Sequence, residues 1–385
     1  MTNVSLKDRA AVVGVGVTEQ GRTPGASNLT LAVDAFVRAL DDAGLHKDQI
    51  DGLLTEPGTT EFGWALDYLR LGEALGINPS FTHTVMQGGS TAASLVQTAA
   101  MAVATGQATY VACVFGDTPR TSRGPRTTDA AHGNAEDSWG VWGALGAITW
   151  SAMSASRHMA LYGTTSEQLG EVAVSARLHA SLNPEAVMRE PITLDDHRES
   201  RAIVDPLRLL DCCLVTDGGA CVIVTSSERA RDLRSTPVSI AGMGQAYTTE
   251  KLGHPDWWYG PHQRTAVTRA YEMAGIEPGD VRVAQLYDNF TISTILWLEH
   301  AGFCGVGEGG PFVEGGRIRL GGRLPVNTHG GHLSAAHPEG WLTVIEGVRQ
   351  VRGEGGDRQV ADADICLVTG RGMLLNCASA LVLTR

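Results

Sequence analysis

The sequence predicts an α/β protein built from two similar halves, and two observations carry this. Short β-branched runs alternate with helical stretches across small or Gly-rich turns, the pattern of parallel or mixed sheets layered with helices. In addition, RALDDAGLHKDQID (Arg38–Asp51) recurs as RAYEMAGIEPGDVR (Arg269–Arg282), at a constant offset of 231 residues. Arg, Ala, an acidic residue, Ala-Gly and two aliphatics fall in register, and each copy leads into a strand, IDGLL or VRVAQL. Upstream, VVGVG at Val12–Gly16 has a counterpart in IAGMG at Ile240–Gly244. A single Ala-Gly-aliphatic helix exit is common in any chain; the ordered pair of matches points to duplication.

The elements follow in order. Ala10–Val17 reads as a strand, Leu29–Ala43 as an amphipathic helix stopped by Gly44, and Ile50–Leu54 as a second strand. A helix near Phe62–Leu75 precedes a strand at His83–Met86, a small-residue helix at Ser90–Thr105 and a strand at Tyr110–Phe115. The excursion Thr118–Pro206 carries helices near Ala144–Leu161 and Ser166–Ser181. Excursions of this length usually cover a site or an interface. DGGACVIVTS (Asp217–Ser226) closes the first half, and the second starts at about Val238. The expected plan is a half over residues 1–230, with an inserted region at about 118–206, and a half over residues 236–385.

Composition narrows the function. A hydrophobic fraction of 43% with 19% charged residues fits a well-cored chain. The balance of 30 basic against 42 acidic residues, a net of −12 with no basic run, argues against a nucleic-acid binder. No stretch approaches the roughly 18 apolar residues of a membrane span. The start, MTNVSLKDRAAVVGVG, lacks the pattern of a signal peptide. Seven cysteines, an odd number with no C-x-x-C pair, suit reduced, buried thiols. A cytoplasmic protein without a membrane span is expected.

Several stretches together resemble the thiolase superfamily, in its sterol-carrier-protein or lipid-transfer-type branch. They are Ala10–Arg22, His158–Leu169, Asp205–Ala220, Leu286–Thr291, Gly302–Gly316 and Asn327–Gly340, in family order from end to end. The resemblance implies a thiolase fold: two βαβαβαββ halves in an α-β-α-β-α five-layer sandwich, normally a homodimer. Thiolases carry a Cys at the start of the central helix of the first half, an Asn in N-E-A-F, a His in G-H-P and a second Cys near the C-terminus. Here Gly89 takes the first Cys position, Tyr287 of YDNF the Asn, and His337 of AHP keeps the His. Val368 takes the second Cys slot, in VTGRGM, whose Gly372 is a candidate for the substrate site. Both thiols are missing, and without a thiol no acyl-enzyme thioester can form.

An aldol or retro-aldol reaction on a β-hydroxyacyl-CoA needs only an acid/base group and an oxyanion pocket. The chain is similar to the thiolase-like aldolases of steroid side-chain degradation, which lack the thiols and use a Tyr at the position of Tyr287. Those aldolases pair with a DUF35 partner, an OB-fold and zinc-ribbon protein, which implies a heterotetramer. They carry a second Tyr where this chain has His337. The resemblance implies retro-aldol cleavage of a bulky β-hydroxyacyl-CoA, possibly a steroid side-chain thioester, to a ketone or aldehyde and a shorter acyl-CoA. Two other functions stay open: a thiolase-like acyltransferase subunit, and a non-catalytic lipid-carrier or scaffold subunit.

Tyr287 and His337 are the catalytic candidates. In one assignment His337 donates to the thioester oxygen and Tyr287 is acid/base at the β-oxygen; in the other the roles are reversed. A phenol starts near pKa ~10 and needs positive charge nearby to serve as a base at neutral pH. His329 and Gly89 are candidates for the oxyanion and substrate site. Asp288 is read either as an orienter of a neighbouring group or as a helix cap. Ser90, at the helix start, reads as a cap.

His329, His332 and His337 have no recognised zinc spacing, so no metal is expected. No cofactor is expected on this chain beyond coenzyme A as part of the substrate; a zinc would belong to the partner. Arg120, Arg123 and Arg126 are candidates for the CoA phosphates, with a solvated loop or dimer contact as the alternative. Trp257, Trp258 and Tyr259 suit a hydrophobic tunnel, a partner contact or core packing.

Overall fold

The computed structural model describes residues 6–58, 66–122, 146–248, 256–372 and 376–385. The first half runs β1 (Ala10–Val17), α1 (Asn28–Ala43), β2 (Gly52–Pro57), α2 (Asp67–Leu75), β3 (Phe81–Thr84), α3 (Thr91–Ala104) and β4 (Tyr110–Asp117). An excursion then carries α4 (Gly146–Tyr162) and α5 (Ser166–Ser181) and returns as β5 (Gly218–Ser226). The second half runs β6 (Val238–Tyr247), α6 (His262–Ala274), β7 (Val283–Gln285), α7 (Thr291–His300), α8 (Trp341–Arg352), β8 (Ile365–Gly372) and β9 (Cys377–Thr384).

The main sheet has the order β3-β2-β4-β5-β1-β6-β9-β8-β7. In the first half β2 is parallel to β3 and β4, and β5 is antiparallel to β4 and β1. The second half repeats this: β7 is parallel to β8, and β9 is antiparallel to β8 and β6. A lone parallel bridge between Ala284 and Val326 stands where a counterpart of β3 would lie. The two halves join where β1 meets β6 over two residue pairs, Ala11 with Ser239 and Val12 with Val238.

Burial resolves five layers. α1 and α2 cover one face of the first sheet, through Phe36, Leu40 and Leu71 against Val13, Leu53 and Ile223. α3 and α8 form the middle layer, where Leu95, Val96, Trp341 and Val348 meet Val222 of one half and Leu381 of the other. α6 and α7 cover the far face of the second sheet, through Val267 and Trp297.

The duplication is visible atom by atom. Added Cβ atoms on Gly14 and Gly16 would stand 2.4 and 2.1 Å from the carbonyls of Ala39 and Ala35 in α1. Those on Gly242 and Gly244 would stand 2.0 and 1.9 Å from the carbonyls of Ala270 and Ala266 in α6. Glycine at these strand positions lets the helix backbone lie directly on the sheet. The recurring G-x-G and Ala-rich helix faces are thus two copies of one packing joint.

Local signals agree with the elements. Ser27 and Thr30 close a capping box at the start of α1, and Gly44 ends it in the left-handed region at φ 70°. Thr165 and Gln168 do the same at the start of α5. Two strands are displaced from their expected places: β2 occupies Gly52–Pro57 rather than Ile50–Leu54, and β3 occupies Phe81–Thr84 rather than His83–Met86. β3 pairs with β2 from Gly52–Phe81 to Thr55–Thr84, and the chain then leaves the sheet toward α3. The expected starts of two helices, at Phe62 and Ala144, lie outside the described residues. No helix of the described residues is long and apolar enough to cross a membrane.

Candidate active site

Loops from both halves converge at the ends of the middle-layer helices. Gly89 lies in the turn that opens α3, Tyr287 and Asp288 follow β7, His337 and Glu339 lie just before α8, and Gly372 ends β8. A Cβ on Gly372 would stand 1.7 Å from the carbonyl of Gln87, so the end of β8 packs on the turn that carries Gly89. The same turn is tied to β9 by a hydrogen bond from Ser90 Oγ to Ser379 Oγ at 3.0 Å. Ser90 makes no side-chain cap bond to α3, so its hydroxyl joins the halves instead of capping the helix.

Gly89 is more than a missing thiol. A Cβ there would stand 1.9 Å from Cζ and 2.2 Å from Oη of Tyr287. The tyrosine ring occupies the volume that any side chain at position 89 needs, and the two residues form one packing solution. Tyr287 is buried at 3% exposure, and its backbone N–H donates to Thr369 Oγ1 at 3.1 Å.

The phenol oxygen lies 3.0 Å from His337 Nε2 and 3.5 Å from Glu339 Oε2. The His337 N–H donates to Thr216 Oγ1 at 2.9 Å, which fixes the loop. His332 completes the group: its ring centre is 4.6 Å from that of Tyr287 and 4.9 Å from that of His337. Asp288 Oδ1 accepts from His332 Nδ1 at 2.6 Å and from its backbone N–H at 2.8 Å. Asp288 is therefore an orienter of His332. The cap reading fails, because Phe290 stands at the N-cap of α7 without a side-chain bond.

The electrostatics bear on whether Tyr287 can ionise. Burial and acidic neighbours oppose its ionisation. Burial, followed by Glu339, Cys213, Glu56 and Asp288, raises the phenol well above its ordinary value. Arg371 is within electrostatic range of the phenol, yet its own burial pulls it down to about 9. Tyr287 therefore stays a neutral phenol, a group able to give or relay a proton but not to act as a phenolate. Glu339 is itself pushed up to about 7 by desolvation and by Asp117, against the lowering effect of its bond from Tyr287. Glu56 is buried, raised by desolvation and by Glu339, and accepts from Trp341 Nε1 at 2.6 Å.

Other candidates sit apart. His329 is buried, and desolvation holds it down to about 3 as a neutral ring. It lines a small crevice with Gln20, Asn183, Glu185 and Arg349, and no described contact joins it to Tyr287 or His337. The Arg120 side chain is exposed; its backbone N–H, with that of Thr121, donates to Asp217 Oδ1. Arg123 and Arg126 lie outside the described residues. Trp258 is buried beside His158 and Tyr259. Trp257 lines a cavity of about 290 Å³ with Tyr247, His262 and Asn376. Among the described residues no cluster of His, Cys, Asp and Glu is arranged to hold a metal.

Sequence reasoning missed Glu339, Glu56, Cys213 and the role of His332. The signal for Glu339 was an acid held between Pro338 and Gly340 in HPEG. Glu56 and Cys213 carry no local signal, since only the fold brings their elements to Tyr287. Cys213 is raised by burial and by Cys212, Glu339 and Asp288, and remains a thiol rather than a nucleophilic thiolate.

Known proteins resemble the chain along nearly its whole length. A thiolase C-terminal domain-like family matches residues 244–385. The chain is 38% identical to the 17-hydroxy-3-oxo-4-pregnene-20-carboxyl-CoA lyase of Mycobacterium tuberculosis, over 96% of this chain and 98% of that one. It is 38% identical to a steroid side-chain-cleaving aldolase of Thermomonospora curvata, over 96% of each. The solved Ltp2-ChsH2(DUF35) aldolase superposes with a TM-score of 0.91 at 38% identity, covering 99% of both chains.

Proposed function

Because the chain belongs to the steroid side-chain-cleaving aldolases of the thiolase superfamily, we propose that it cleaves a bulky β-hydroxyacyl-CoA by a retro-aldol reaction. The substrate class is a steroid whose side-chain thioester carries a hydroxyl on the β-carbon. The products are a ketone or aldehyde on the bulky part and a shorter acyl-CoA. One observation carries the reading. The volume a nucleophile on residue 89 would need is filled by the phenol of Tyr287, with its hydroxyl 3.0 Å from His337 Nε2. The centre is equipped for proton transfer, not for acyl transfer.

In this reading Tyr287 works at the β-oxygen as a neutral phenol. His337 donates from Nε2 to the thioester oxygen, where charge builds as the Cα–Cβ bond breaks. His332, held by Asp288, braces the tyrosine ring. A homodimer of this chain, with a DUF35-type partner on each copy, forms the working assembly. Coenzyme A enters only as part of the substrate, and any zinc belongs to the partner.

The test is to incubate the chain, with its co-expressed partner, with matched β-hydroxyacyl-CoA and β-ketoacyl-CoA substrates, with and without free CoA. Mass spectrometry follows the acyl-CoA products. Release of the shorter acyl-CoA from the hydroxy substrate without free CoA is expected. Release only from the keto substrate, and only with free CoA, would reject the reading.

A further inference from the structure

We propose that Glu339 is the terminal proton acceptor of the cleavage step and takes the substrate's β-hydroxyl proton through the phenol of Tyr287. This rests on the retro-aldol reading and adds to it the base which that reading lacks. A neutral phenol cannot remove a proton from an alcohol unless its own proton leaves at the same time, and that proton needs an acceptor in reach.

Two groups stand within reach of Tyr287 Oη, His337 Nε2 at 3.0 Å and Glu339 Oε2 at 3.5 Å. The inventory of protons separates them. An ionised carboxylate can only accept, and a phenol has one proton to give. With both contacts made, Tyr287 donates to Glu339 and accepts from His337 Nε2–H. In that tautomer His337 is a donor, and with substrate bound the same Nε2–H turns from the phenol to the thioester oxygen, which leaves the base to Glu339. The longer distance is the one expected to shorten when substrate fills the site.

The loop around Glu339 is built for this placement. Glu339 has φ +41°, in the left-handed region that a non-glycine residue adopts only when its surroundings hold it there. It lies between Pro338 and Gly340, the N-cap residue of α8, with the His337 N–H anchored on Thr216.

The step balances. The β-hydroxyl gives its proton to Tyr287 Oη while the tyrosine proton passes to Glu339 Oε2. An oxygen lone pair forms the new carbonyl, and the Cα–Cβ pair moves into the thioester as an enolate. Tyr287 then gives its proton to Cα of the enolate, and Glu339 returns its proton to Tyr287 Oη, which restores the starting state of both. No oxidant, reductant or metal is consumed.

The groups facing Glu339 set its working range. Asp117 raises it, Glu56 on β2 and Cys213 lie in its field, and Tyr287, which also touches His337, donates to it. With its carboxyl held at about 7, Glu339 is protonated and unable to accept below that pH, and ionised above it. The cleavage rate should therefore rise with pH through about 7.

The experiment compares wild type, Glu339→Gln and His337→Gln, each with the partner, across pH 5.5 to 8.5, following the shorter acyl-CoA. Glu339→Gln should lose about 10²- to 10³-fold in kcat with KM little changed, and its acidic limb should vanish. His337→Gln should be slower but keep that limb. Glu339→Ala, which removes the side chain, should regain part of its rate when formate is added. A limb that survives in Glu339→Gln, or that disappears only in His337→Gln, would overturn the proposal. A wild-type enzyme that releases no acyl-CoA from the hydroxy substrate would instead reject the retro-aldol reading itself. Thermal melting of each variant separates lost chemistry from lost folding.

Discussion

At the scale of single residues, the proposed chemistry rests on how the phenol of Tyr287 packs over position 89. Tyr287→Phe keeps the ring that fills the space over Gly89 and removes only the hydroxyl. It should fold normally and lose about 10²- to 10⁴-fold in turnover, the usual worth of a positioned acid/base group. Gly89→Ala should behave differently, because its Cβ would overlap the ring. Overpacking of this kind costs about 1–3 kcal/mol, so a lowered denaturation midpoint should accompany the lost turnover. An unchanged midpoint would mean that the ring moves freely and that the two residues are not coupled. Thiol alkylation makes the third test at this scale. Burial raises the thiols of Cys113, Cys213 and Cys366, so iodoacetamide at neutral pH should leave cleavage intact. Loss of activity that tracks labelling of one cysteine would bring a covalent route back.

At the scale of elements, the repeated glycine joint is the part most open to test. Gly244→Ala would push a Cβ to within 1.9 Å of a helix carbonyl, where the contact is backbone rather than a flexible side-chain end. A loss of at least about 1–3 kcal/mol is expected from chemical denaturation; a neutral result would show that α6 slides at little cost. Such joints explain why the elements were legible in the sequence. The G-x-G runs, the capping Ser27 and the terminating Gly44 are local signals, and β1 falls where they place it, over Ala10–Val17. The strand after α2 was misplaced by two residues because its register is set by pairing with Gly52–Thr55, a partner far along the chain. The site was legible where a family motif named it, at Gly89, Tyr287 and His337. It was illegible where geometry alone recruits a residue. Glu56 reaches the centre from β2 through its bond to Trp341 of α8, across 285 positions of sequence.

At the scale of the whole molecule, the two halves share one interior. α3 and α8 lie back to back between the sheets, and Gln97 of α3 donates to the carbonyls of Gly244 and Ala380 in the other half. Neither half can bury its inner face without the other. Unfolding of the chain should therefore be one cooperative event, with near- and far-ultraviolet circular dichroism falling together. Residues 1–230 and 236–385 expressed separately should remain unfolded or aggregate. Two resolved transitions would show that the shared layer contributes less than its burial indicates.

The overlap of position 89 with Tyr287 also has an evolutionary consequence. A thiol cannot be regained at 89 by one codon change, since the new side chain would meet the phenol ring. Replacing the tyrosine alone leaves a hole and no nucleophile. Each single step is disfavoured in the presence of the other residue, so positions 89 and 287 must change together, and the second thiol slot at Val368 is a further step beyond that. In the vocabulary of fitness landscapes this is the geometry of reciprocal sign epistasis between positions 89 and 287, set by a steric overlap in which the added Cβ would stand 1.9 Å from the ring.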